Sequence, residues 1–283
     1  MKKVRADQLL LESCDLKDIA LARALIMEGR VMAGDRKIRS SSETLPPETR
    51  LRIRGEVDAY VSRGAHKLKK ALDAFRMDIR GCCCIDVGSS TGGFTDVMLR
   101  SGASRVYAVD VGYNLLDYSL RSNPKVVPME RVNARFLKPE DFVPRPSFGA
   151  TDVSFISLKA ILPAALNVLE PSGRFVALVK PQFEAPAEDV GEGGIVRDRS
   201  VHEGVLREIL SFVPTLGWKA TGLEYSPITG QKGNIEFLLA LAGPERSDAA
   251  EAISIERTLD AAYDNFFKSG QITCKSLTTG IHY

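Results

Sequence analysis

The sequence predicts an α/β protein, a mostly parallel seven-stranded sheet with helices on both faces, preceded by a small α+β unit. Three observations carry the prediction. From residue 83 onward, short apolar runs of strand length alternate with longer stretches of helical periodicity. The first such run, Ile85-Asp86-Val87, enters a glycine-rich turn, Gly88-Ser89-Ser90-Thr91-Gly92-Gly93, and then the helical pattern opened by Phe94. The charge is also uneven: residues 1–80 carry a net +6 and residues 81–283 a net −4. A basic front piece on a mildly acidic body suggests a polyanion-binding module beside a catalytic domain, or a solvated basic surface.

The whole chain has 283 residues, 44% of them hydrophobic and 26% charged, enough to bury the core of one large or two smaller domains. No apolar run approaches the roughly 20 residues that span a bilayer, and the start, MKKVRADQLLLESCD, lacks a signal-peptide pattern. The expectation is a cytoplasmic protein with no membrane partner. Five cysteines, three of them adjacent at 82–84, form no CxxC pair and have only three histidines for company, so no metal site is expected.

In the front piece, apolar spacing predicts a short helix from Ala6 to Glu12. Asp15 is placed to cap a second that runs to Met27 and stops at Gly29. Arg30–Met32, Lys37-Ile38 and Leu51–Ile53 read as short strands. Arg5, Arg23, Arg30, Arg36, Lys37 and Arg39 are candidates to share a phosphate-binding face. The layout, and above all Ala22-Arg23-Ala24-Leu25-Ile26-Met27-Glu28-Gly29-Arg30-Val31, resembles the RNA-binding domain named after ribosomal protein S-four; the Asn-Gly common in that family's turn is replaced here by Gly34-Asp35. The resemblance covers roughly residues 1–55.

Residues 56–61 read as a linker, after which Ser62 is placed to cap a helix carrying His66, Lys67, Leu68, Ala71, Leu72 and Phe75. The predicted strands are 83–87, 105–110, 125–129, 147–152, 173–180, 217–225 and 233–241, with helices at 92–101, 113–121, 157–169 and 198–213 and another near 251–267. The large domain is therefore drawn at 62–270, with a tail at 271–283 of no assigned role. Residues 185–197, rich in glycine and acids, read as a mobile flap or as a plain surface loop.

In a doubly wound sheet the ligand lies beyond the carboxyl ends of the strands, where strand order reverses. The glycine turn, Asp110, Asp152 and Lys180 all fall at such ends. The turn departs from GxGxxG, and an acid just before it disfavours a pyrophosphate but suits an ammonium group. Asp110, closing the second strand, suits ribose hydroxyls. S-adenosyl-L-methionine meets both requirements; the plainer alternative is that Asp86 caps the turn and Asp110 closes a strand. Asn133, after the third strand, is the candidate for the adenine.

Glu236 lies in an apolar predicted strand, where a carboxylate needs a partner; Lys180 is the natural candidate. Taken alone, Lys67 reads as a solvated helix lysine and Asp152 as a cap for the helix that follows. Together, in the order Lys67, Asp152, Lys180, Glu236, they resemble the Lys-Asp-Lys-Glu tetrad of the ribose 2′-O-methyltransferases of the FtsJ/RrmJ superfamily. The stretches Val61-Ser62-Arg63-Gly64-Ala65-His66-Lys67-Leu68, Asp152-Val153-Ser154-Phe155-Ile156-Ser157, Leu178-Val179-Lys180-Pro181-Gln182-Phe183-Glu184 and Gly233-Asn234-Ile235-Glu236 are similar to those of the TlyA family. The resemblance implies a Rossmann-like methyltransferase domain behind an RNA-binding domain, S-adenosyl-L-methionine as cofactor, and 2′-O-methylation of ribosomal RNA or ribosomal subunits, with cytidine as the usual target. It implies further that Asp86, Gly88 to Phe94, Asp110 and Asn133 hold the cofactor, that the tetrad is catalytic, and that Arg63 joins the RNA-binding residues. Methyl transfer needs an oxygen nucleophile whose proton is removed or whose developing charge is stabilised, and Lys180 is placed to do either. Some members of the family carry a haemolysin label. A strongly basic amphipathic helix is missing from the sequence, which disfavours a membrane-lytic protein; a non-catalytic RNA-binding factor is the other alternative.

Overall fold

The apolar runs after residue 82 form one seven-stranded sheet. The protein is seen here as a computed structural model that describes residues 3–14, 16, 19–27, 29–54, 60–230, 232–247 and 252–268. Asp15, residues 56–59 of the expected linker and the 271–283 tail lie outside the described residues. The chain divides into two units, Met1–Ala59 and Tyr60–Tyr283.

In the first unit, β1 (Val4–Arg5) leads into α1 (Ala6–Ser13), which packs against α2 (Ile19–Met27). Gly29, at φ +69°, ends α2: its N–H donates to Ile26 O at 2.9 Å, and that of Arg30 to Leu25 O at 3.0 Å. The left-handed conformation that this closure needs is the one glycine adopts without strain. β2 (Val31–Ala33) is the centre of an antiparallel three-stranded sheet with β3 (Arg36–Lys37) and β5 (Leu51–Ile53), while β4 (Thr44–Leu45) pairs with β1. The core is Leu9, Leu10, Leu25, Ile26, Val31, Ile38, Leu45 and Leu51 with Ala6 and Ala22. The β1–β4 pair was not predicted, because two residues are too few for alternation to register.

The sheet of the second unit contains β6 (Cys83–Val87), β7 (Arg105–Asp110), β8 (Val126–Glu130), β9 (Phe148–Thr151), β10 (Arg174–Val179), β11 (Lys219–Tyr225) and β12 (Phe237–Ala242). Its order is β11-β12-β10-β9-β6-β7-β8, and every pair is parallel except those made by β12. The helices are α3 (Ala65–Ala74), α4 (Gly93–Arg100), α5 (Tyr118–Arg121), α6 (Leu158–Asn167), α7 (Pro181–Glu184), α8 (Arg199–Phe212) and α9 (Ile255–Lys268). Side chains alternate across the sheet as the pleat requires. Cys84, Val106, Phe148 and Val176 pack with α3 and α4, whereas Ile85, Tyr107, Phe175 and Phe237 pack with α6, α8 and α9. Both faces are covered, which is why the strands read as nearly continuous apolar runs. Burial pushes the Cys83 thiol up to about 11, consistent with a small core residue.

Three expectations are corrected. The helix foreseen at 113–121 is only α5, because Asn114 takes φ +57° with its N–H bonded to Glu130 and Asp117 caps the short helix at Ser119. The strand foreseen at 233–241 starts at Phe237, because Gly230 and Asn234 close a turn in which Gly233 sits at φ +95°. The helix after Ser62 is not capped by that serine; it starts at Ala65, with Gly64 at its N-terminus. No helix among the described residues is long and apolar enough to cross a membrane.

Candidate active site

Strand order reverses between β6 and β9, where a doubly wound sheet opens its crevice. A cleft of about 580 Å³ lies there, lined by residues 88–91, 93 and 94 of the glycine turn and by Lys67, Asp86, Asp152, Lys180 and Glu236.

Asp86 is fully buried near the end of β6. Its Oδ2 accepts the N–H of Thr95 at 2.9 Å and the Thr95 hydroxyl at 2.7 Å, so this oxygen caps α4. The other oxygen, Oδ1, is buried with no hydrogen-bond partner among the described residues, although Asp86 lines the cleft. Burial pushes the carboxyl up to about 7 against the pull of the Thr95 contacts, and Asp152 and Asp110 add repulsion. A cationic or N–H-bearing ligand completes such an acceptor. Gly88 (φ +84°), Ser90 (φ +49°) and Gly92 (φ +96°) bend the turn around it. A Cβ on Gly88 would lie 3.0 Å from Val153 Cγ1 and 3.1 Å from the Asp152 carbonyl, so glycine lets the turn close against the end of β9. Ser89 is buried, Thr91 O accepts the Asp117 N–H at 3.1 Å, and Gly93 and Phe94 begin α4 with the Phe94 ring in the core.

Asp110 ends β7 and ties two loops together, accepting Ser90 N–H at 2.8 Å and Gly112 N–H at 2.7 Å. Asn133 caps the turn after β8 through Arg135 N–H at 3.1 Å. The two are neighbours, with Val132 N–H bonded to Asp110 O at 3.0 Å, but neither belongs to the cleft lining.

The four candidate catalytic residues come together from α3, the end of β9, the end of β10 and the turn before β12. Lys180 Nζ lies 2.5 Å from Asp152 Oδ1, Lys67 Nζ 3.2 Å from Asp152 Oδ2, and Lys67 Nζ 2.8 Å from Glu236 Oε2. Charges therefore alternate along Lys180, Asp152, Lys67 and Glu236. Lys67, Lys180 and Glu236 are buried, so Lys67 is no solvated helix lysine. Two expectations change here: the partner of Glu236 is Lys67, not Lys180, and α6 is capped by Ser157, not by Asp152. Burial disfavours the charged form of Lys67, but Asp152 and Glu236 outweigh it and the ammonium is held above its ordinary range. Asp152 is lowered in the same way, its burial overcome by Lys67 and Lys180. Lys180 also donates to Ser154 Oγ at 2.9 Å, which leaves one of its three hydrogen positions for a substrate oxygen.

Several cleft residues were not singled out as site residues from the sequence. Phe155 is 91% exposed at φ +63°, with its ring 5.1 Å from that of Phe183. Both lie within quoted motifs, but an exposed phenylalanine on a loop is indistinguishable in sequence from a core one. Asn234 anchors the 185–197 segment, accepting Val196 N–H at 2.9 Å and donating to Gly194 O at 2.8 Å. Lys232, also on the cleft lining, was not singled out either, whereas Arg63, expected among the RNA-binding residues, is exposed on that lining with its Nη2 3.4 Å from Thr229 O. Among the described residues no group of His, Cys, Asp and Glu is arranged to hold a metal ion.

In the first unit, Asp7 is fully buried and joins two of the predicted basic residues, at 2.9 Å from Arg5 and 2.8 Å from Arg23. Arg30 donates to Arg54 O at 3.0 Å, Arg36 pairs with Glu43 at 2.5 Å, and Lys37 and Arg39 are exposed. The Lys37 chain lies over Gly29.

Residues 60–242 match the FtsJ-like methyltransferase family. The provisionally named rRNA methyltransferase YqxC of Bacillus subtilis is 45% identical over 259 residues, spanning 91% of this chain and 92% of that protein. The 16S/23S rRNA (cytidine-2′-O)-methyltransferase TlyA of Mycobacterium tuberculosis is 43% identical over 205 residues, 72% of this chain and 75% of that one. Among solved structures, a provisionally named haemolysin of Streptococcus thermophilus superposes with a TM-score of 0.76 at 42% identity, covering 96% of this chain and 100% of that one.

Proposed function

We propose that this chain, which belongs to the FtsJ-like methyltransferase family, is an S-adenosylmethionine-dependent ribose 2′-O-methyltransferase that acts on cytidine in ribosomal RNA. The observation that carries the reading is the chain of alternating charges beside the glycine turn and the unpartnered, buried carboxylate oxygen of Asp86 that precedes it. The names of the relatives agree with it.

The unpartnered, buried Oδ1 of Asp86 at the cleft fits the cofactor's ammonium. Asp86 Oδ1 would take the ammonium of the methionine moiety, and Asp110 and Asn133, beside the cleft rather than in its lining, would take the ribose hydroxyls and the adenine. S-adenosylmethionine supplies an electrophilic methyl group on a sulfonium. Lys180 meets the ribose 2′-hydroxyl, receiving its proton as an amine or holding the developing oxyanion as an ammonium. Asp152 orients Lys180, and Lys67 and Glu236 keep Asp152 in place. A rise in rate along the basic limb of a pH–rate profile marks the amine route.

Single-stranded RNA is recognised by aromatic faces for bases and by cations for phosphates. Phe155 and Phe183 supply the first, Arg63 and Lys232 the second. The first unit is assigned as the S-four-like RNA-binding module, with Arg5, Arg23, Arg30, Arg36, Lys37 and Arg39 toward the phosphates. Incubation with methyl-labelled S-adenosylmethionine and separated ribosomal subunits tests the reading when RNA and protein fractions are counted apart. Label in the RNA is expected; label confined to protein overturns it.

A further inference from the structure

The loop after β9 and the turn after β10 are joined rung by rung. Lys180 holds Asp152 and Ser154, the Phe155 and Phe183 rings meet, and Glu184 closes the ladder: it accepts the Ser157 hydroxyl at 2.6 Å and the Leu158 N–H at 2.7 Å. Between the rungs sits Phe155 at φ +63°, a conformation that a bulky residue keeps only where its surroundings over-determine it. Glu184 is partly buried, and burial raises its carboxyl despite the two contacts. It does not line the cleft.

We infer that Glu184 is a positioning residue for methyl transfer: through Ser157 and Leu158 it fixes the loop that carries Asp152, Ser154 and Phe155 against Lys180. The inference rests on the functional reading above. A plain helix cap is the competing role, since Leu158 opens α6 and Ser157 already accepts the Lys159 N–H at 3.1 Å. A cap alone stabilises the fold and leaves the turnover of folded protein unchanged. A positioning role ties Glu184 to kcat and to Phe155.

The test uses the full chain, rRNA and labelled S-adenosylmethionine, below the melting temperature of every variant. Glu184→Ala is expected to lower kcat at least tenfold while the Kd for S-adenosylmethionine stays within threefold. Glu184→Gln is expected to restore kcat to within threefold of wild type, because its carbonyl accepts from Leu158 and its amide donates to the Ser157 oxygen. Phe155→Ala should have a much smaller effect in the Glu184→Ala background than alone. Turnover of Glu184→Ala within twofold of wild type, with only its melting temperature lowered, overturns the inference. Should that variant not fold, Ser157→Ala decides: a threefold or larger loss of kcat supports the role and an unchanged kcat overturns it. A wild-type protein that methylates no rRNA defeats the functional reading and this inference with it, whereas an active wild type beside an unaffected Glu184→Ala defeats the inference alone.

Discussion

Replacing Lys67 with methionine keeps the length of the side chain and removes the charge that touches both Asp152 and Glu236. Asp152 retains Lys180, so most of the penalty falls on Glu236, whose side chain is only 3% exposed. Breaking a buried ion pair on one side costs about 3–5 kcal/mol. In a unit of this size each kcal/mol moves the melting temperature by roughly 2–4 °C, so Lys67→Met should melt roughly 6–20 °C below wild type. Adding Glu236→Gln removes the stranded charge and should recover most of that loss without restoring activity. The stability of the wild type and of both variants is compared at pH 5 and at pH 8. In wild type, Lys67 is raised, and its contribution is full below the ordinary lysine value and lost as pH rises through the folded one. Asp152 is lowered, and its contribution is present above the ordinary aspartate value and lost as pH falls through the folded one. The Lys67–Asp152 pair is therefore insensitive to pH across the neutral range. Denaturant titrations of the three proteins at both pH values check this. A single variant within about 1 kcal/mol of wild type at pH 8, or no rescue by the second substitution, would refute the charge-chain argument.

Asp86→Asn should weaken S-adenosylmethionine binding at least tenfold in calorimetry while leaving the fold no less stable above pH 7, because it removes a buried charge that burial disfavours. Wild-type affinity for the cofactor should fall about tenfold from pH 8 to pH 6, since a carboxyl near 7 must ionise to hold an ammonium; a flat profile contradicts the assignment. In the first unit, Asp7 is held below its ordinary range by the Arg5 contact first, then by Arg23 and Gln8, against burial. That stability is present above the ordinary aspartate value and is lost as pH falls through the lowered one. Asp7→Ala should destabilise this unit by about 1–3 kcal/mol and weaken rRNA binding several-fold, which thermal unfolding and filter binding measure.

The sheet was legible because both its faces are covered, so β7 and β10 appear in the sequence as nearly unbroken apolar runs that lead to Asp110 and Lys180. Loops were less so. At 113–117 helical spacing was present, but Asn114 takes a positive φ with its N–H on Glu130, and Asp117 spends its carboxylate on the cap at Ser119. Lys67, Asp152, Lys180 and Glu236 could be named because their order and motifs resemble the tetrad of a known family; taken alone, Glu236 stood out as a charge in an apolar run, while Lys67 and Asp152 read as a solvated lysine and a cap. Their pairing could not, because it depends on how far α3 reaches over the sheet, and so Glu236 was matched to the wrong lysine. Phe155 and Glu184 were quoted in motifs without a role; a positive φ and a contact across 26 residues leave no local trace.

The most direct test of the central claim is nucleoside analysis of rRNA methylated by the wild type and by Lys180→Ala. The account predicts 2′-O-methylcytidine from the wild type, and from the variant none of it despite near-normal S-adenosylmethionine binding. A methyl group on a base, or a Lys180→Ala protein that turns over at the wild-type rate, contradicts it.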